Sequence, residues 1–201
     1  MKTQKLILLL FFTSPLFFWQ IKNQTLENIG HQVRNVPAYI SIKTTSLLST
    51  ETIRNIKEYR RDLENPLSRI FYNKATIIFP EVFHYFNILK PRIYFQSGTG
   101  DHSFPSNTEP LPIMLLPFAC LGFYHHIKKQ KYRSLALFAI SPVLAFITGQ
   151  YNFIFLLPTI YAYLHFSAYG IKATRHPKKI IISCFIYSLF LFLKNTLIYE
   201  I

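Results

Sequence analysis

Five stretches of this chain are apolar and contain no Asp, Glu, Lys or Arg: Leu6 to Ile21, Pro110 to Ile127, Ser134 to Thr148, Phe153 to Tyr169 and Ile180 to Leu193. A soluble fold of 201 residues would have to bury all of them as helices with almost no polar face. Each runs about 14 to 18 residues, a little short of the roughly 20 that cross a 30 Å hydrocarbon core. Flanking Tyr, His and Lys residues extend each span by sitting in the interface. The pattern predicts an all-α polytopic membrane protein with about five transmembrane helices, its first partner being the lipid bilayer.

The basic residues then predict an orientation. The net charge is +13, from 22 Lys and Arg against 9 Asp and Glu, and in a soluble chain that excess would point to nucleic acid. Here Lys2 and Lys5 supply +2, Lys128, Lys129, Lys131 and Arg133 supply +4, and Lys172, Arg175, Lys178 and Lys179 supply +4. None of these three segments contains an acid, and with five spans all three fall on one side, the cytoplasm by the positive-inside tendency. The excess is therefore a topology signal, and no nucleic-acid partner is expected. Residues 1–21 form a signal anchor or first transmembrane helix in the plasma (inner) membrane. Residues 22–109, with 11 basic and 8 acidic residues, form an extracytoplasmic loop. Residues 110–201 form a four-span region (about 110–127, 134–148, 153–169 and 180–193), with a tight polar hairpin at Gly149, Gln150, Tyr151 and Asn152. The N-terminus is cytoplasmic and the C-terminus lies outside.

A basic start followed by Leu6 to Ile21 also fits a cleaved signal peptide, but Trp19, Gln20, Ile21 and Lys22 lack a small-x-small cleavage site, which favours the anchor. Cys120 and Cys184 fall inside apolar stretches at no metal-ligand or redox spacing, so they read as small core residues, and no metal or cofactor is expected. Asn23, Gln24 and Thr25 form a glycosylation sequon close to the membrane.

Within the outer loop the punctuation is mainly helical. Ser49 or Thr50 can cap a helix over Thr50 to Leu63, with Ile53, Ile56, Tyr59 and Leu63 on one stripe. Asn65 before Pro66 is a second start signal. Pro80 breaks or restarts that pattern, and Glu81 beside it suits a helix N-terminus. Ile77 to Leu89 is rich in apolar and aromatic residues, as in a surface-lying helix that packs on the spans or faces a substrate. Ile29 to Leu48, with Ile40, Ile42 and Thr44, is assigned extended structure.

After Pro91 comes the polar run Gln96-Ser-Gly-Thr-Gly-Asp-His-Ser-Phe-Pro-Ser-Asn-Thr-Glu109. A Gly-rich turn with a solvated Asp is its plain meaning. Beside a membrane mouth it also makes Asp101 and His102, with the cations Lys90 and Arg92, candidate ligand-binding residues for a phosphate or hydroxyl. No strand-then-helix setting surrounds it, which excludes a phosphate loop. His125 and His126 sit at the inner interface, and His165, mid-span near Tyr161 and Tyr163, reads as a hydrogen-bonded structural histidine.

The order of motifs Leu67-Ser-Arg-Ile-Phe-Tyr-Asn-Lys74, Phe83-His-Tyr-Phe86, Phe95-Gln-Ser-Gly-Thr-Gly-Asp-His-Ser-Phe-Pro105 and Leu115-Leu-Pro-Phe-Ala-Cys-Leu-Gly122 resembles the second half of bacterial multi-span glycosyltransferases that use polyprenyl-phosphate sugars. It is similar to protein O-mannosyltransferases and lipid A aminoarabinose transferases over roughly residues 64–170. The resemblance implies a polyprenyl-phosphate sugar as ligand and a part in donor or acceptor binding. In that family the essential acidic residues, often an Asp-Glu pair, follow the first span, whereas here Lys22-Asn-Gln-Thr-Leu-Glu-Asn28 has only Glu27. The resemblance thus implies that the catalytic amino-terminal half is absent and that no catalytic residue can be named, which leaves a truncated or split gene product, a partner of a separate catalytic membrane chain, or a degenerate relative. The alternative reading is a non-enzymatic membrane scaffold or assembly partner.

Overall fold

The computed structural model describes residues 3–17, 26–47, 49, 51, 53–54, 57–58, 66–96, 109–150 and 153–198. Among them every regular element is helical: α1 (Thr3–Phe12), α2 (Leu26–Arg34), α3 (Val36–Leu47), α4 (Pro66–Ile88), α5 (Pro91–Phe95), a 3-10 turn (Ile113–Leu115), α6 (Leu116–Lys128), α7 (Tyr132–Ile140), α8 (Val143–Thr148), α9 (Phe153–Lys172) and α10 (Pro177–Ile198).

The core is built around α9, whose Phe155, Leu156, Ile160, Leu164, Phe166 and Ile171 are all buried. α6 lies against it most extensively and α1 packs beside it. The close approach of α6 and α9 depends on two glycines, because a β-carbon at Gly122 would run into the Phe166 carbonyl and one at Gly170 into the Phe118 carbonyl. Around that crossing, aromatic rings interlock edge to face: Phe123 with Phe166 at 5.3 Å, Phe138 with Tyr163 at 5.3 Å and Phe138 with Phe166 at 5.6 Å between centroids. Such pairs add about 0.5–1.5 kcal/mol each beyond the area they bury.

Hydroxyl and proline chemistry interrupts two of the predicted spans. α1 ends at Phe12, where Thr13 Oγ1 donates to the Leu9 carbonyl (2.8 Å), Ser14 Oγ donates to the Phe11 carbonyl (2.6 Å), and Pro15 restricts the residue before it. Likewise Ser134 to Thr148 is divided into α7 and α8 at Ser141 and Pro142, with Ser141 Oγ donating to the Phe138 carbonyl (2.8 Å). α6 stops in a Schellman turn: the Lys131 N–H donates to the His126 carbonyl (2.9 Å), the Gln130 N–H to the Ile127 carbonyl (3.0 Å), and Gln130 takes φ 51°.

Two expectations for the outer segment are corrected. Ile29 to Leu47 is not extended; it forms the end of α2 and the whole of α3, and Leu48 lies outside the described residues, because scattered β-branched residues without alternation carry little strand preference once an apolar face finds a partner. Tyr39 supplies such a contact, its ring edge-on to Phe155 at 6.1 Å. Pro80 does not break the helix either, since α4 runs through it from Pro66, where the Asn65-Pro66 signal placed a start. Of the helix expected over Thr50 to Leu63, Glu51, Ile53, Arg54, Lys57 and Glu58 are helical, with the Ile53 N–H donating to the Ser49 carbonyl (3.0 Å), and the rest lies outside the described residues.

Among the described residues one helix, α9 with 20 residues, is long and apolar enough to cross a membrane; an 18-residue window of it has a mean hydropathy of 1.3 and is 67% buried inside the protein. The outer surface is apolar as well: Leu8 and Phe12 on α1, Ile78, Phe83 and Phe86 on α4, Leu137 and Ile140 on α7, and Ile182, Ile186, Phe190 and Leu193 on α10 are exposed.

Candidate functional site

The turn between α4 and α5 carries both predicted cations. Lys90 is extended (φ −63°, ψ 128°), Pro91 opens α5 with its fixed φ, and Lys90 and Arg92 are both exposed. Among the described residues neither joins an ion pair. The turn is anchored from below: Tyr94, fully buried, donates its hydroxyl to the Ile88 carbonyl (2.8 Å), and Tyr163 of α9 donates its hydroxyl to the Leu89 carbonyl. Asp101 and His102 lie outside the described residues. The two ends of their loop are nevertheless brought together, because the Leu111 N–H donates to the Tyr94 carbonyl (2.8 Å) and the Leu16 N–H to the Pro110 carbonyl (3.1 Å).

Beside this turn opens an apolar groove of about 430 Å³. Leu89 and Pro91, the chain neighbours of the two cations, line one end, and Leu116, Phe123 and Ile127 extend it along α6. From Leu116 to Ile127 a helix rises about 17 Å. Tyr163 and Phe166 lie along α9, and the exposed Cys120 thiol borders the groove.

Polar residues that the sequence left without partners turn out to be engaged. Glu109 accepts from the Ile113 N–H (3.1 Å) and from the Tyr187 hydroxyl (3.1 and 3.2 Å to its two oxygens), tying the loop exit to α10. Glu81 pairs with Lys43 of α3 at 3.1 Å, and Lys43 also lies 4.3 Å above the centre of the Phe146 ring of α8. A lone acid in an aromatic run was the available signal for Glu81. Its partner is 38 residues away and could not be read locally.

At the opposite end the basic flanks meet. Lys172 donates to Thr3 Oγ1 (2.7 Å), Lys131 donates to the Tyr169 hydroxyl, and a cavity of about 180 Å³ lies between His125, Lys129, Tyr169, Lys172 and Ala173. Beneath it, His126 is buried with Nδ1 2.8 Å from the Gly122 carbonyl and its ring 5.4 Å from that of His165. His165 is not the hydrogen-bonded histidine expected, for its Nε2 is buried with no partner among the described residues. No group of three His, Cys, Asp or Glu among the described residues could hold a metal ion.

These features define an all-helical protein with a cationic turn beside an apolar groove. Compared with protein-family models, curated proteins and solved structures, the chain matches none.

Proposed function

We propose that the chain is a polytopic membrane protein of the plasma membrane that binds a polyprenyl phosphate or its sugar ester, as the donor-binding part of a lipid-linked-sugar glycosyltransferase. The observation that carries this reading is the juxtaposition of a long apolar groove with a turn bearing two cations that have no ion-pair partner among the described residues. An isoprenoid tail needs a lengthwise apolar channel, and its phosphate needs charge-assisted donors at one end. Membrane embedding is supported by the large apolar side chains exposed on α1, α4, α7 and α10, since extended exposed apolar patches mark protein or membrane contact. The orientation with both loop turns and the N-terminus in the cytoplasm is supported by the meeting of the three basic flanks at one end.

Sugar transfer itself needs a base on the acceptor hydroxyl. Among the described residues Glu81 and Glu109 are each committed to internal partners, and the acidic pair of the resembling family does not follow the first predicted span; the proposed role is therefore binding, with catalysis supplied by a separate membrane chain. A non-enzymatic scaffold is the alternative, favoured by the exposed aromatic face of α4 at Phe79, Phe83 and Phe86.

The deciding experiment is native mass spectrometry of the purified full chain in detergent with a long-chain polyprenyl phosphate and the corresponding uncharged polyprenol. Charge-assisted contacts are worth about 1.5–3 kcal/mol each, so the double variant Lys90→Ala/Arg92→Ala should weaken phosphate binding at least tenfold and leave polyprenol retention unchanged. Equal retention of phosphate and alcohol, or no effect of the double variant, overturns the reading and leaves the scaffold.

A further inference from the structure

The cavity at the basic end is separate from the groove and has features of a binding site of its own. Lys129 caps the end of α6 and Lys172 closes α9, so two cations from different helices border, together with His125, one space of about 180 Å³. Cations at helix C-termini complement the local carbonyls, which accounts for each lysine alone. It does not account for their convergence, since like charges brought together repel unless an anion lies between them. Neither lysine has an acid near it in sequence, since between Glu109 and Glu200 there is none, and among the described residues neither joins an ion pair. Lys172 donates instead to a neutral hydroxyl, that of Thr3, and the Tyr169 hydroxyl on the cavity wall is engaged by the neighbouring Lys131. The cavity is also much smaller than the roughly 300–1,000 Å³ of a drug-sized ligand site, which suits a compact anion.

We infer that this cavity binds the phosphate group of an anionic phosphodiester, held by Lys129 and Lys172 with His125 and the Tyr169 hydroxyl at its edge. The chemistry fits a lipid headgroup or a free phosphate. The lipid source rests on the membrane reading above and is favoured by the exposed Tyr124 and Ile127 on the same turns of α6, which also line the groove and along which acyl chains would lie. The cavity is a second site, at the other end of the protein from Lys90 and Arg92.

The test uses the full chain in a neutral detergent, titrated separately with phosphatidylglycerol, phosphatidylcholine and inorganic phosphate, and read by native mass spectrometry and by the thermal midpoint. Phosphatidylglycerol should be retained at least tenfold better than phosphatidylcholine. Lys129→Gln/Lys172→Gln should abolish that preference, Lys129→Arg/Lys172→Arg should restore it, and Lys90→Ala/Arg92→Ala should leave it intact. Lys178→Gln/Lys179→Gln removes the same charge from the same end outside the cavity and should have little effect. If inorganic phosphate stabilises the chain as well as phosphatidylglycerol does, and the Lys129/Lys172 variant loses both, the site stands and its ligand is a soluble phosphate. No preference for the anionic lipid together with no response to phosphate, or an equal loss in the Lys178/Lys179 variant, overturns the inference.

Discussion

Gly122 and Gly170 set how closely the two central helices approach. At each position the atom that an added methyl would meet is a backbone carbonyl, not the end of a rotatable side chain. Relief would require α6 and α9 to separate, undoing the packing of Phe123 and Phe166 as well. Overpacking of this kind costs about 1–3 kcal/mol, so Gly122→Ala and Gly170→Ala should each lower the unfolding midpoint in detergent. Gly30 has nothing within 4 Å of its missing β-carbon. Gly30→Ala should therefore hold or raise the midpoint, since alanine is about 1 kcal/mol the better helix former, and equal losses at all three sites would disprove the close crossing. In the sequence each of these glycines is isolated, Gly122 inside a predicted span, Gly170 just past the end of one and Gly30 in a stretch read as extended. Only the facing backbone shows which two shape the core, which is why they could not be picked out by reading along the chain.

Between helices, the Lys43–Glu81 pair joins α3 to α4 and, through Phe146, both to α8. Its side chains are 14% and 25% exposed, so each charge depends on the other more than a surface pair would. Removing one partner of such a pair strands a partly buried charge, whereas replacing both with apolar groups can be near neutral. Lys43→Met and Glu81→Met should each destabilise by about 1–3 kcal/mol, and the double variant by clearly less than their sum. Additive losses in that cycle would mean that the contact carries no coupling. What was legible here followed from local chemistry: the start of α4 at Asn65-Pro66, the Gly149 end of α8 at φ 63°, and the apolar runs that became α6 to α10. What was not legible depended on remote partners. α3 looked extended because its stabilising contacts, Tyr39 on Phe155 and Lys43 on Glu81, come from elements far along the chain. Pro80 looked like a breaker because nothing local reveals that α4 continues past it. Of the candidate site, Lys90 and Arg92 were read as candidates from charge beside a polar loop. The groove next to them is assembled from the ends of α4 and α5 with α6, α7 and α9, and no single segment announces it.

Taken as a whole, the chain has two chemically different ends, and that asymmetry carries its strongest topological consequence. At one end Thr3, Lys131 and Lys172 bring the N-terminus and both basic turns together. At the other, Leu16, Tyr94, Glu109 and Leu111 gather around the exit of the polar loop. Ten of the thirteen net positive charges belong to the first end, and holding a Lys or Arg at the centre of a membrane-spanning helix costs about 2.5–3.5 kcal/mol apiece. Insertion should therefore leave that end in the cytoplasm. Single cysteines test this directly in a Cys120→Ser background, chosen because the Cys120 thiol is exposed while that of Cys184 is buried. In intact cells an impermeant maleimide should label Lys57→Cys and Gln96→Cys, whereas Lys129→Cys and Lys178→Cys should react only after permeabilisation. The reverse pattern would invert the topology, and uniform labelling or uniform protection of all four would remove the case that the chain spans the membrane with its basic flanks on one side.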